Sequence, residues 1–107
     1  MASTATPVIA ADTIVARAAV QHTLGGPSTI AITEVAIPAP ETGMVLVKSS
    51  AAGINPVDLK TAQGGGIAGM LPDGAVESGL TLGWDLAGEV VAVGDGVTAF
   101  QPGDRVF

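Results

Sequence analysis

Apolar positions along the chain fall in short runs, several with a two-residue rhythm, each broken by glycine or proline, and this pattern predicts a succession of strands. After a leader of small and polar residues over 1–14, read as a flexible extension, Val15 to Gln21 reads as a first strand. His22-Thr23-Leu24-Gly25-Gly26-Pro27-Ser28 is loop chemistry. Thr29 to Val35 sets Ile30 and Ile32 against Thr and Ala, as a second, partly exposed strand does. The Gly-Gly-Pro connection predicts that these two pair as a hairpin. Pro38 to Gly43 is an extended turn, and Met44 to Gly53 reads as a strand buried on both faces over its first half. Leu86 to Val93 is a further strand, Gly94-Asp95-Gly96 a tight turn, and Asp104 to Phe107 the start of another strand.

One helix interrupts this series. Asn55 has the chemistry of an N-cap, Pro56 suits the first helical position, and Asp58 sits in the first turn against the positive end of the helix dipole. Gly64-Gly65-Gly66 cannot sustain the helix, so it is expected over about 56–63. Residues 64–80 then read as a glycine-rich loop with Pro72-Asp73-Gly74 as a turn. The expected fold class is mostly β with one short helix.

Gly64-Gly65-Gly66-Ile67-Ala68-Gly69 matches the letters of the dinucleotide fingerprint G-x-G-x-x-G. That fingerprint works only between a strand and a helix, where amides at the helix N-terminus receive the pyrophosphate. Here the glycines follow a helix, so they are read as loop, and no nucleotide fold is expected in these residues.

Composition narrows the picture. A length of 107 residues suits one small domain, and a hydrophobic content of 48% makes it globular rather than disordered. Only Trp84, Phe100 and Phe107 are aromatic, so the core is expected to be built of small side chains and to be shallow. Ten acidic residues against four basic ones give a net charge of −6, and Arg17, Lys48, Lys60 and Arg105 stand apart from one another. Nucleic acid is therefore not an expected partner. The absence of cysteine removes disulfides, thiolate zinc sites and a cysteine nucleophile. The N-terminus has no basic region followed by an unbroken apolar run, and no stretch is apolar enough to span a bilayer. A cytoplasmic location without membrane association is the expectation.

Two blocks carry a more specific pattern. The first is Ala52-Gly53-Ile54-Asn55-Pro56-Val57-Asp58-Leu59-Lys60, and the second runs from Leu82-Gly83-Trp84-Asp85-Leu86-Ala87-Gly88 through Gly103-Asp104-Arg105-Val106-Phe107. Together they resemble the N-terminal GroES-like domain of medium-chain dehydrogenases/reductases, in the zinc-independent quinone oxidoreductase branch. The resemblance covers about 15–107 and implies an incomplete, partly open GroES-like β-barrel with no Rossmann domain. In zinc-dependent members, a Cys follows the Gly-Ile pair and a His follows the Gly of the second block, both as ligands of the catalytic metal. Asn55 and Trp84 stand at those places. An amide and an indole supply neither thiolate nor imidazole, so no metal is expected at this site.

The resemblance further implies NADPH as hydride donor and a quinone or α,β-unsaturated carbonyl as acceptor. Asn55 would then offer its amide to cofactor or substrate, Trp84 would be an apolar wall, and Lys60 a contact at the cleft mouth. Pro56, Asp58, Gly83 and Asp85 would be structural beside them. Each reading has a plainer competitor. Asn55 as a helix cap alone, Trp84 as core filling and Lys60 as a solvated surface charge are the alternatives. Many relatives carry a Tyr at about the place of Gly66, a candidate proton donor. This chain has no Tyr, so no residue is assigned a catalytic role.

Two functions follow as expectations. In the first, the chain is the leading segment of a zinc-free, NADPH-dependent oxidoreductase and is inactive alone, because a Rossmann unit must hold the cofactor. In the second, it is a non-catalytic GroES-like interaction module whose open sheet edges are closed by self-association into a homo-oligomer.

Overall fold

The computed structural model describes residues 13–107. Most of the leader expected over 1–14 lies outside the described residues, and Ile14 already opens the first strand. The elements, in chain order, are β1 (Ile14–Gln21), β2 (Ile30–Ile37), β3 (Val45–Gly53), α1 (Pro56–Ala62), α2 (Ala75–Gly79), β4 (Asp85–Val93) and β5 (Arg105–Val106). Single 3-10 turns occur at Pro27–Thr29 and Ala68–Met70. β1 and β2 pair in a two-stranded sheet, as the Gly-Gly-Pro connection predicts, and β3, β4 and β5 form a three-stranded sheet in that order. The fold is mostly β, with open sheets rather than a closed barrel among the described residues.

The long antiparallel ladder runs from Val45 opposite Val93 to Gly53 opposite Asp85. Its register slips twice, between Leu46 and Val47 and between Ser49 and Ala51, where the strand gains twist. Gly88 lies opposite Ser49, beside the second slip, and a Cβ built on it would fall on the Lys48 carbonyl. Only glycine lets the two backbones approach that closely. The other end of the ladder is closed by two backbone bonds, Gly94 N–H to the Met44 carbonyl at 2.8 Å and Gly43 N–H to the Asp95 carbonyl at 2.9 Å. The expected 94–96 turn is therefore tied to the segment that enters β3.

The residues cluster in two compact units. The first contains Ala16–Val35 and Ile54–Gly83, and the second contains Ala36–Gly53 and Trp84–Phe107. Each has little apolar interior. Val20 and Ala62 are buried in the first and Val90 in the second, while Gln21, Asp58 and Thr61 are buried polar residues of the first. This matches a core of small side chains.

Two expectations need correction. Met44 to Gly53 is not buried on both faces over its first half: Val45, Leu46 and Val47 are half-buried and the rest is exposed. The reason is that only one neighbouring strand and few large side chains are available to cover it. The 64–80 segment is not all loop, because it holds the Ala68–Met70 turn and the one-turn helix α2. Gly74, at φ +80°, supplies the left-handed residue before α2, so the Pro-Asp-Gly turn leads into a helix rather than away from one.

Candidate functional site

In the first unit, the start of α1 builds the candidate position at Asn55. Asn55 is extended (φ −125°, ψ 159°) and Pro56 supplies the first helical residue. Asn55 and Asp58 form a capping box. Its better-defined half is the carboxylate: the Asn55 N–H donates to Asp58 Oδ2 at 2.9 Å. The Asp58 N–H in turn donates to the Asn55 carbonyl at 2.9 Å. Asn55 is thus a cap held by a buried acid, and the residue itself stays half-exposed. Pro56 and Gly83 are exposed. Lys60 is exposed too and makes no ion pair among the described residues, which is the behaviour of a solvated charge.

In the second unit, Trp84 precedes β4 and is 50% exposed, so it does not fill the core. With Leu86 and Phe107, also exposed, it lines an open depression of about 520 Å³ floored by Ala51, Ala52, Gly53 and Ala87. Asp85 lies opposite Gly53 in the ladder, and a Cβ on Gly53 would stand 3.1 Å from the Asp85 carboxylate. The absence of a side chain at Gly53 gives that carboxylate its place. The arrangement offers a broad apolar face with a carboxylate at its edge.

Residues 41–107 match the family of alcohol dehydrogenase GroES-like domains. The chain belongs to that family. The relatives it matches include quinone oxidoreductases. The chain is 41% identical over 85 residues to the quinone oxidoreductase of Rattus norvegicus, covering 78% of this chain and 24% of that protein. Among solved structures, it resembles a 2-haloacrylate reductase (TM-score 0.66, 30% identity, 84% of this chain and 24% of that one). It also resembles the crotonyl-CoA carboxylase/reductase AntE V350A, solved in complex with NADP (TM-score 0.67, 36% identity, 94% of this chain and 26% of that one). The chain spans about a quarter of the length of these relatives. The likeness is that of a GroES-like domain of medium-chain dehydrogenases/reductases, quinone oxidoreductases among them.

Within this family the donor set at 55 and 84 is an amide and an indole, and no three His, Cys, Asp or Glu side chains gather among the described residues. The Gly66 position has a structural reason to lack a Tyr. Gly66 has φ +53°, and a Cβ on it would approach Thr61 Oγ1 and the Thr61 backbone nitrogen. The loop is drawn tightly onto α1: Gly65 N–H donates to the Lys60 carbonyl at 2.7 Å, and Ile67 N–H to Thr61 Oγ1 at 3.2 Å. A larger residue at 66 needs a different loop path.

Sequence reasoning missed Thr61, which is fully buried and anchors this loop. It also missed Gln21, 1% exposed, which exchanges both backbone bonds with Leu80 and donates through Nε2 to the Ala62 carbonyl at 2.9 Å and to Thr29 Oγ1 at 3.1 Å. Neither has a sequence signal: Gln21 depends on backbone from the distant Ala62 and Leu80, and Thr61 on the path of the loop that brings Ile67 back onto α1. His22 is exposed, and its Nδ1 meets the Glu77 carbonyl at 2.9 Å across 55 positions of chain.

Proposed function

We propose that this domain is the leading part of the substrate domain of a zinc-independent, NADPH-dependent oxidoreductase. The enzyme reduces a quinone or an α,β-unsaturated carbonyl by hydride transfer. The observation that carries this reading is the pair Asn55 and Trp84, which leaves the places of two zinc ligands with an amide and an indole inside a domain whose relatives include quinone and 2-haloacrylate reductases. NADPH supplies the hydride in such a reaction. The residues of this chain do not fit its pyrophosphate. Gly64-Gly65-Gly66 follow α1 and lead into a 3-10 turn, so they lack the strand before and the helix after that a dinucleotide cradle needs.

The chain's own share is binding and orientation. The capping box fixes the backbone at Asn55, from which an amide can hold a carbonyl oxygen or a carboxamide. Trp84 offers an apolar face that excludes water from a flat acceptor. Lys60 stands on the exposed side of α1 as a contact at the cleft mouth. This chain has no Tyr, so the proton delivered to the reduced acceptor does not come from a Tyr of this segment.

The chain alone is expected to be inactive, and it acts in the cytoplasm. Calorimetric titration of the 107-residue chain with NADPH tests this: no saturable heat is expected, and a saturable one refutes it. A second reading, a non-catalytic module that self-associates, is favoured by one observation, the exposed Trp84, Leu86 and Phe107 on the three-stranded sheet. Sedimentation separates the two, since a discrete dimer favours the module and heterogeneous association favours the enzyme segment.

A further inference from the structure

The first unit holds a larger cavity that shares none of its described lining with the residues assigned above. It is an open groove of about 650 Å³ whose lining mixes apolar side chains (Val20, Ala31, Val35) with polar ones, His22, Thr23, Glu34, Ser78 and Thr81 among them. That volume lies within the ~300–1,000 Å³ typical of small-molecule sites. Its polar groups define what it would accept.

His22 is the best-fixed of them. A carbonyl oxygen only accepts, so the 2.9 Å contact from Nδ1 to the Glu77 carbonyl places the proton of the neutral ring on Nδ1. Nε2 is then left with a lone pair, an acceptor with a defined tautomer. The ring also rests against Gly79: a Cβ there would lie 3.2 Å from His22 Cε1 and from Val20 Cγ1. Gly79, at φ +114°, gives the imidazole its room.

Thr23, Ser78 and Thr81 are exposed, their hydroxyls make no hydrogen bond among the described residues, and each can donate or accept. Glu34 adds an exposed carboxylate that only accepts when ionised. No Lys or Arg lines the cavity among the described residues, so a phosphate or carboxylate would meet a negative charge and no cation. Apart from the imidazole, no aromatic ring lines it, which leaves nothing to stack a flat conjugated ligand such as a quinone. An uncharged molecule carrying several hydroxyls meets all of these groups.

We propose that this His22 cavity is a second binding site, for a small uncharged polyol of about monosaccharide size, with His22 Nε2 accepting a ligand hydroxyl. It goes beyond the oxidoreductase reading and does not depend on it.

The test is a titration of the isotope-labelled 107-residue chain with myo-inositol and with D-glucose, followed through backbone amide shifts. Saturable shifts confined to residues 22–23, 34 and 78–81 are expected for at least one polyol, with a dissociation constant on the order of millimolar. Thr81→Val, which removes one hydroxyl at constant shape, should weaken binding about three- to ten-fold, by the loss of one hydrogen bond. His22→Phe should abolish it. Inorganic phosphate should give no saturable shift at these residues. Absence of saturation with both polyols, or an unchanged affinity in Thr81→Val, overturns the proposal even if His22→Phe fails to fold. Saturable phosphate binding at the same residues overturns it as well.

Discussion

Replacing Thr61 by Val tests how the loop after α1 is held. Thr61 is fully buried, and its Oγ1 accepts the Ile67 N–H at 3.2 Å, the bond that folds residues 64–67 back onto the helix. Valine keeps the shape and removes the oxygen, leaving a half-buried backbone donor without an acceptor. The lost bond is worth about 1 kcal/mol, and an orphaned donor raises the cost towards ~1–3 kcal/mol; partial exposure of Ile67 places the expectation at about 1–2 kcal/mol. For a chain of this size, with a urea m-value of roughly 1–3 kcal/mol/M, the unfolding midpoint should fall by roughly 0.3–2 M. Far-ultraviolet circular dichroism follows the transition. Hydrogen exchange at the Ile67 amide reports the bond itself and should speed up in Thr61→Val but not in Thr61→Ser, which keeps the hydroxyl. An unchanged midpoint together with an Ile67 amide still protected in Thr61→Val would refute this account of the loop.

Three other substitutions probe the site and its supports. Asp58→Ala removes the carboxylate that accepts the Asn55 N–H and should cost about 1–2 kcal/mol by thermal unfolding, with Asp58→Asn closer to the parent because it keeps an acceptor. Parent-like stability in Asp58→Ala would mean the capping box contributes nothing. Trp84→Ala should cost well under the ~3–5 kcal/mol of a buried aromatic, because the ring is half exposed. In the complete enzyme the same change should raise KM for the acceptor, and an unaltered KM would remove Trp84 from the cleft. Gly66→Tyr should destabilise the chain by about 1–3 kcal/mol in denaturant melts, because of the left-handed backbone and the nearby Thr61 atoms. A neutral outcome would show that the loop repacks freely.

Much of the fold was legible because its signals are local. Alternation and breakers located β1 to β4 within a residue or two, and Asn55-Pro56 with Asp58 marked the start of α1. What was not legible depends on distant contacts. α2 is a single turn, Ala75–Gly79, preceded by Gly74 and without a Ser, Thr, Asn or Asp at its cap position, so periodicity has nothing to work on. The exposure of Trp84 follows from the small number of elements around it, not from the residue type. His22 reads as a loop residue, yet its Nδ1 meets a carbonyl at Glu77 that no spacing rule connects to it. The candidates Asn55 and Trp84 come from the two blocks that carry the family pattern. The reason Gly66 cannot simply be a Tyr lies in the buried Thr61, which carries no motif.

The most direct test of the central claim is the metal dependence of catalysis. Residues 1–107 would be joined to the remaining part of the Rattus norvegicus quinone oxidoreductase, and NADPH oxidation measured with a quinone acceptor before and after exhaustive chelation, alongside zinc analysis of the protein. The expected result is NADPH-dependent quinone reduction that chelation leaves unchanged, with zinc far below one ion per chain. Loss of activity on chelation, or stoichiometric zinc abolished by replacing Asn55 or Trp84, would contradict it.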